Sequence, residues 1–321
     1  MKKRYFVILV LLAAAAVISA AALHQGKTPG YTVGICQYTQ HEALDAAAQG
    51  FKAALSEKLG KQVTYDEQNA GADSSVCNAI MNSFLAEEAD LILADSTKAL
   101  QAAANATTEI PILGTAVTDY GAALNLSDFG GTVGGNISGT SDLAAPGEQA
   151  AMIHELFPEA ETVGILYCSS ETNSQFQAEG LTDALTDLGY HGEAYPFVDS
   201  GDLAAVTAQA ASACDILYVP TDNTVASNAE LIANICIPEN VPVITGDENT
   251  CRICGAATLS VNYYDLGYAT GEMAAEILSD GKPISEMPVR YADSYMKKYN
   301  PSVCEKLGLT VPEDYIPLDE Q

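Results

Sequence analysis

An internal repeat is the feature that most limits the folds open to this chain. Residues 33–55 read VGICQYTQHEALDAAAQGFKAAL, and residues 163–185 read VGILYCSSETNSQFQAEGLTDAL. The two stretches align without a gap at an offset of 130 residues. Each has a short apolar run, then a polar turn, then apolar residues at helical spacing. The repeat therefore predicts the same strand, loop and helix twice.

The repeat continues beyond this first unit. The strand entry at residues 90–93, DLIL, matches DILY at 215–218, and IPIL at 110–113 matches VPVI at 241–244. Strand and helix patterns alternate between these points, which is typical of parallel sheets with helices on their faces. The fold class predicted is α/β, with two doubly wound parallel-sheet lobes joined by crossover strands.

The two lobes cannot simply follow one another, because strand and helix patterns continue after the second copy ends near Gly246. We predict that residues 31–142 plus 262–285 form the first lobe, and that 143–261 plus 286–321 form the second. The glycine-rich stretch 130–142 is predicted to be the first crossing between lobes. Its glycines are spaced irregularly and lie far ahead of the next helix, which argues against a nucleotide-binding loop.

Charge and the N-terminus favour an exported protein. The formal net charge is −28, and such an acidic surface repels nucleic acid and anionic lipid. Lys2, Lys3 and Arg4 precede an apolar run at residues 7–23, so residues 1–24 are predicted to be a signal peptide or an N-terminal anchor. No cysteine follows that run to carry a lipid. The predicted location is extracytoplasmic, with membrane anchoring through this segment left open.

The sequence gives little support to enzyme chemistry. It lacks a paired-histidine metal motif and a serine elbow of the G-x-S-x-G kind, so no catalytic residue, metal or cofactor is predicted. Most of the eight cysteines lie in apolar segments and are expected to be buried thiols. The cluster of Cys236, Cys251 and Cys254 leaves a disulfide open, and a thiol oxidoreductase is the rival enzyme hypothesis.

Ligands of open α/β sheets bind beyond the carboxyl ends of the strands. The loops that follow the strands are polar in both lobes. Hydroxyls and N–H groups at helix starts suit a carboxylate, and acidic side chains suit an ammonium group. Together they predict an α-amino acid, although each residue could instead be an ordinary N-cap. The predicted ligand-binding residues are Gln37, Tyr38, His41, Ser96, Thr97, Thr118, Asp119, Ser169, Ser170, Glu171, Asn173, Thr221, Asp222, Asn223, Asp247 and Tyr263.

Several stretches resemble the ABC-transporter substrate-binding proteins of the tryptophan/tyrosine type, from about Tyr31 to Leu309. They are VGICQYTQHEALDAAAQGF, ALQAAANATTEIPILGTAVTD, GNISGTSD, YCSSETNS, YVPTDNTVAS and NYYDLGYATGEMAAEIL. The resemblance implies a type I periplasmic-binding-protein fold, three crossover strands and docking to a membrane permease. It also implies ligand roles at positions that match the family, including Gln37, His41, Thr118, Asp119 and the loops at 169–173 and 221–223. Glu42 departs from the family, which usually has proline there.

The function predicted is a solute-binding protein of an ABC importer that captures an amino acid, expected to be aromatic, between its lobes. Its predicted partners are that small ligand and a membrane permease, without nucleic acid, and the chain is expected to be a monomer. The alternative is an exported sensory module of the same fold. A DNA-binding repressor is disfavoured, because no helix-turn-helix precedes Tyr31.

Overall fold

The structure is a computed structural model that describes residues 30–292 and 294–318. The predicted signal segment, residues 1–24, lies outside this range. The strands are β1 Tyr31–Gln37, β2 Val63–Asn69, β3 Leu91–Asp95, β4 Ile112–Val117, β5 Ile137–Ser141, β6 Thr162–Cys168, β7 His191–Phe197, β8 Ile216–Val219, β9 Val243–Thr245, β10 Ala257–Ser260, β11 Arg290–Tyr291, β12 Met296–Tyr299 and β13 Ile316–Pro317.

Twelve α-helices accompany these strands in the described residues. They are α1 Glu42–Leu59, α2 Ser74–Ala86, α3 Thr97–Ala106, α4 Tyr120–Leu124, α5 Pro146–Leu156, α6 Thr172–Asp187, α7 Ser200–Ala213, α8 Asn223–Ala226, α9 Ala229–Cys236, α10 Glu248–Cys254, α11 Tyr263–Asp280 and α12 Pro301–Leu307. None of the helices in the described part of the chain is long and apolar enough to cross a membrane.

The strands form two sheets with one core topology. The first sheet has the order β11-β5-β4-β3-β1-β2, and all its strands are parallel. The second has the order β13-β12-β10-β9-β8-β6-β7, in which only β10 and β12 pair antiparallel. Five strands of each sheet follow the same doubly wound order, so the two-lobe α/β prediction is confirmed.

Each sheet is covered by helices on both faces. Alternate residues of a strand point to opposite faces, and β3 shows this directly. Ile92 and Ala94 pack with α2 and α3, whereas Leu91 and Leu93 pack with α1 and α11. In the second lobe, α7, α9 and α10 cover one face and α5 and α6 cover the other. Both faces are apolar, and polar side chains concentrate at the strand ends.

The repeated glycines in the sequence have a packing role. A Cβ atom on Gly34 would lie 2.6 Å from the Phe84 ring, and one on its counterpart Gly164 would lie 2.7 Å from Leu217. Real Cβ atoms do not approach that closely, so both Val-Gly-Ile strands need glycine where a large side chain packs against the sheet. The internal repeat therefore corresponds to two copies of one packing arrangement.

The chain crosses between lobes three times, after β5, after β10 and after β11. The glycine-rich stretch 130–142 contains β5 itself, so the first crossing begins only where that stretch ends. The predicted boundary at residue 286 also needs correction. β11 pairs with β5, and Met287 and Val289 pack into the first lobe. The remaining residue bounds of the lobes stay a prediction.

Candidate functional site

The carboxyl ends of both sheets face one cavity between the lobes. The first lobe contributes His41, Ala43, Leu44, Ala116, Thr118, Asp142 and Tyr263, and the second contributes Asn173, Thr221, Asp222, Asn223, Ala226 and Asp247. Nearly all of them stand just after a strand or in the first turn of the following helix. This is the position expected for a ligand in two facing α/β lobes.

The cavity is acidic. Three carboxyl groups line it, those of Asp142, Asp222 and Asp247, each at most 6% exposed. Neither lysine nor arginine is among the lining residues in the described part of the chain. Burial of carboxylates without a cation disfavours their charged form. A positively charged group in the cavity would restore the balance.

Asp142 is the carboxyl group with a free oxygen. Its Oδ2 accepts a hydrogen bond from the Tyr263 hydroxyl at 2.9 Å. Its Oδ1 is buried and has no hydrogen-bond partner among the described residues. Burial raises the pKa of Asp142, and the hydrogen bond from the Tyr263 hydroxyl opposes that shift. The Oδ1 atom is therefore an acceptor available to a ligand.

The other two carboxyl groups act as helix caps. Asp222 accepts from the backbone N–H of Val225 at 2.9 Å and from that of Cys168 at 2.7 Å. Burial, and then the charge of Glu171, raise the pKa of Asp222 to about 8. Asp247 caps α10 through the N–H of Thr250 at 2.8 Å. Both bring a carboxyl group to the cavity, and their bonded oxygens hold the loops in place.

Two amides and one buried carboxylate form the second-lobe wall. Glu171 is fully buried, and its Oε2 accepts from Asn223 Nδ2 at 2.7 Å and from Asn173 Nδ2 at 3.3 Å. Asn173 Nδ2 also donates to the Thr221 carbonyl at 2.9 Å. Asn173 Oδ1 is buried without a partner in the described structure. Glu171 thus supports the wall from behind, and the amides face the cavity.

Side chains of the two lobes touch across the cavity. His41 Nε2 lies 3.2 Å from Asn223 Oδ1, and the hydroxyls of Thr118 and Thr221 are 3.4 Å apart. At the rim, the Asn249 amide donates to Glu42 Oε2 at 2.8 Å and accepts from the Ala43 N–H at 2.9 Å. These contacts bring the lobes together, and little more than a water molecule fits between the lining atoms. The lobes are therefore closed, and a ligand enters when they separate.

The structure brings together half of the predicted site residues. Those that line the cavity are His41, Thr118, Asn173, Thr221, Asp222, Asn223, Asp247 and Tyr263. The Tyr263 hydroxyl also holds Asp142.

The other predicted residues do not line the cavity, because local hydrogen bonds use their polar groups. Gln37 bonds Asp45 and Asn69, and the Tyr38 hydroxyl donates to the Ala72 carbonyl. Ser96 and Asp119 cap α3 and α4, with Thr97 buried beside Ser96. Ser169 donates to the Phe197 carbonyl, Ser170 lies 3.1 Å from the Cys168 sulfur, and Glu171 supports Asn173 and Asn223.

The list of predicted ligand-binding residues omits five that line the cavity, namely Ala43, Leu44, Ala116, Asp142 and Ala226. Asp142 could have been predicted, because it is the first polar residue after β5. That strand was not recognised in the sequence, because it lies within the glycine-rich stretch 130–142. The small apolar residues gave no signal. Ala116 has φ +51°, a left-handed backbone rare for alanine, where the pairing of β4 with β5 shifts register.

Comparison with known proteins places the chain in a family. Residues 32–318 match the family model described as ABC transporter substrate binding protein. A tyrosine-binding protein of Clostridioides difficile is 34% identical over 267 residues, which cover 81% of this chain and 76% of that protein.

Two solved structures are also similar. The first is an ABC domain from Streptococcus pneumoniae in complex with L-Trp, 28% identical, with a TM-score of 0.85 over 90% of this chain and 99% of that one. The second is the ligand-free, open structure of a Clostridium difficile substrate-binding protein with adhesive properties, 34% identical, with a TM-score of 0.71 over 91% and 100%. The family is one of extracytoplasmic binding proteins and not of enzymes. The chain belongs to the ABC transporter substrate-binding proteins and has the type I periplasmic-binding-protein fold.

Proposed function

We propose that this protein captures an aromatic amino acid between its lobes and delivers it to an ABC importer in the membrane. The observation that carries the proposal is the free Oδ1 of Asp142 in a buried cavity that holds three carboxyl groups and, among the described residues, no lysine or arginine. A ligand that fills this cavity has to bring a positive charge and hydrogen-bond donors. An ammonium group supplies both.

The remaining groups of an amino acid can be assigned to the cavity walls. The first turn of α1 is suited to the carboxylate at Leu44, which lines the cavity, since the N-cap residue His41 makes no side-chain cap bond. The neighbouring Ala43 N–H already donates to Asn249. This differs from the helix starts that the sequence suggested, at Ser96 and Ser169. Ala43, Ala116 and Ala226 are small, and with Leu44 and Tyr263 they suit a large apolar side chain.

The relatives support an aromatic ligand. One is named a tyrosine-binding protein, and another was solved in complex with L-Trp. The present structure agrees better with the L-Trp complex than with the open, ligand-free relative, although it is more identical in sequence to the latter. This supports a closed form as the binding state, reached by hinge motion at the three crossings. The bound form must be wider than the present cavity, which has room for little more than a water molecule. A monomer released outside the membrane, or anchored there by residues 1–24, would then dock to its permease.

Isothermal titration calorimetry against the twenty common amino acids tests this proposal. We expect micromolar or tighter binding of tyrosine, tryptophan or both, and no heat with aspartate or glutamate, whose extra carboxylate meets an acidic cavity. Absence of binding across the whole panel would exclude the amino-acid assignment. Binding combined with a receptor gene in place of permease and ATPase genes beside this one would favour the sensory alternative.

Asp142→Asn tests whether the carboxylate of Asp142 binds the ligand. The variant keeps the shape of the side chain but removes the charge, and we expect the dissociation constant for the bound amino acid to rise at least tenfold. Asp119→Asn is the matched control, because Asp119 caps α4 and does not line the cavity. Equal affinity of the Asp142 variant and the wild type would remove Asp142 from the site.

A further inference from the structure

The buried carboxylate of Glu171 accepts hydrogen bonds from five donors. Its Oε2 receives the N–H and Nδ2 of Asn223 at 3.1 and 2.7 Å and the Nδ2 of Asn173 at 3.3 Å. Its Oε1 receives the N–H and Oγ1 of Thr224 at 2.9 and 2.8 Å. An ionised carboxylate only accepts, so each of these groups must point a hydrogen at Glu171.

This arrangement fixes the orientation of two amides. Turning Asn223 around would place its carbonyl oxygen against the carboxylate of Glu171, which is repulsive. The same holds for Asn173, whose Nδ2 also donates to the Thr221 carbonyl. Both amides therefore keep their Oδ1 atoms on the other side, where Asn223 Oδ1 meets His41 and Asn173 Oδ1 has no partner among the described residues.

The orientation of Asn223 in turn sets the tautomer of His41. Asn223 Oδ1 can only accept, so the hydrogen of the 3.2 Å contact belongs to His41 Nε2. A neutral imidazole carries one N–H, which leaves Nδ1 with a lone pair. His41 Nδ1 is buried and has no partner in the described structure. In the neutral imidazole, Nδ1 is therefore an acceptor.

We propose that Glu171 is a positioning residue that makes two buried atoms of the lining residues acceptors beside a third on Asp142, so that the site selects a primary ammonium group. The three atoms are Asp142 Oδ1, Asn173 Oδ1 and His41 Nδ1. The inference rests on the proposed function and adds to it the form of the amine. A primary ammonium carries three N–H donors for three acceptors, and each N-methyl group removes one.

The binding series that tests this uses L-tyrosine and its N-methyl, N,N-dimethyl and N,N,N-trimethyl derivatives, titrated at pH 8. Each methyl group leaves one buried acceptor without a donor, so we expect about tenfold weaker binding at each step. All four compounds carry the same positive charge on the protonated or quaternary amine. Equal affinity of all four would show that only the charge is recognised and would overturn the proposal.

Steric exclusion of the methyl groups would also weaken binding, and Glu171→Gln separates the two causes. The glutamine brings an N–H₂ group among the donors, which frees the Asn223 amide to turn and His41 to change tautomer. We expect the loss per methyl group to shrink in this variant, whereas a steric effect would leave it unchanged. Glu179→Gln, an exposed substitution on the same helix, is the control and should behave as the wild type.

Nitrogen-15 NMR of the imidazole reads the tautomer without a binding measurement. In the closed wild-type protein we expect the His41 hydrogen on Nε2, and His41→Leu assigns the signal. A hydrogen on Nδ1, or on both nitrogens, would contradict the proposal. Failure of tyrosine and of the whole amino-acid panel to bind would instead count against the proposed function, so the two failures are distinguishable.

Discussion

Asp95 lies at the end of β3 with both carboxyl oxygens buried and without a hydrogen-bond partner in the described structure. Burial, and next the charges of Asp45 and Glu67, raise the pKa of Asp95 well above its usual range. As the pH rises, the unfolded chain then loses this proton before the folded protein does. The stability that the protonated carboxyl contributes is complete below about pH 4 and is lost as the pH rises through the raised pKa.

Asp95→Asn should therefore stabilise the protein at high pH only. Each unit by which burial raises the pKa corresponds to about 1.4 kcal/mol, so we expect Tm at pH 8 to rise by at least about 2 °C. At pH 4 the variant and the wild type should melt together. Thermal unfolding followed by circular dichroism measures both, with the exposed Asp183→Asn as control. If the Asp95→Asn variant at pH 8 has a Tm equal to or below that of the wild type, the raised pKa of Asp95 would be contradicted.

At this scale the sequence located the polar loops but could not separate ligand contacts from caps. Asp119 and Asp222 both follow threonine and both cap a short helix. Only Asp222 lines the cavity. Asp142 is the opposite case. It lines the cavity, and its Oδ2 atom is hydrogen-bonded to Tyr263, which is distant in the sequence. Such distinctions depend on tertiary contacts that local sequence does not record.

Helices α1 and α11 pack with their backbones almost in contact. A Cβ on Gly267 would lie 1.9 Å from the Ala47 carbonyl oxygen, and one on Gly50 would lie 2.0 Å from that of Tyr264. The pair also supports the cavity, because α1 begins beside His41 and α11 begins at Tyr263. The spacing between these two helices therefore sets the position of two walls of the site.

Gly267→Ala should force the two helices apart. Overpacking of this kind costs about 1–3 kcal/mol, which exceeds the gain of roughly 0.5–1 kcal/mol from replacing a helical glycine. We expect a lower midpoint in urea unfolding and weaker binding of the amino acid. Gly147→Ala in α5 is the control, because nothing lies within 4 Å of its Cβ position, and it should be neutral or stabilising. Unchanged stability of the Gly267 variant would show that the contact relaxes easily.

Elements with a clear apolar pattern were predictable, including the four-residue β8, whereas several short elements without such a pattern were not. The strand patterns at residues 31–37 and 191–197 and the helical spacing at 74–86 and 146–156 predict β1, β7, α2 and α5 at their observed bounds. These patterns do not predict β5, α4, α10 and α12, which are seven residues or fewer and have glycine, cysteine or proline where a pattern would be read. Hydrophobic periodicity needs more than one or two helical turns to become visible.

The whole molecule is two similar lobes whose strand ends close on an acidic cavity. The internal repeat predicted the two lobes, because each copy brings its own strand order and helix cover. It did not predict how far the lobes close, since that depends on contacts such as His41 with Asn223 that join residues from different copies. Closure brings three carboxyl groups together and leaves buried acceptors for a ligand.

A crystal structure of the protein with its bound amino acid tests the central claim most directly. We predict the ligand between the lobes, with its ammonium nitrogen about 3 Å from Asp142 Oδ1 and its side chain against Ala43, Ala116 and Ala226. A ligand that places its carboxylate at Asp142, or that binds outside the cavity, would contradict the account.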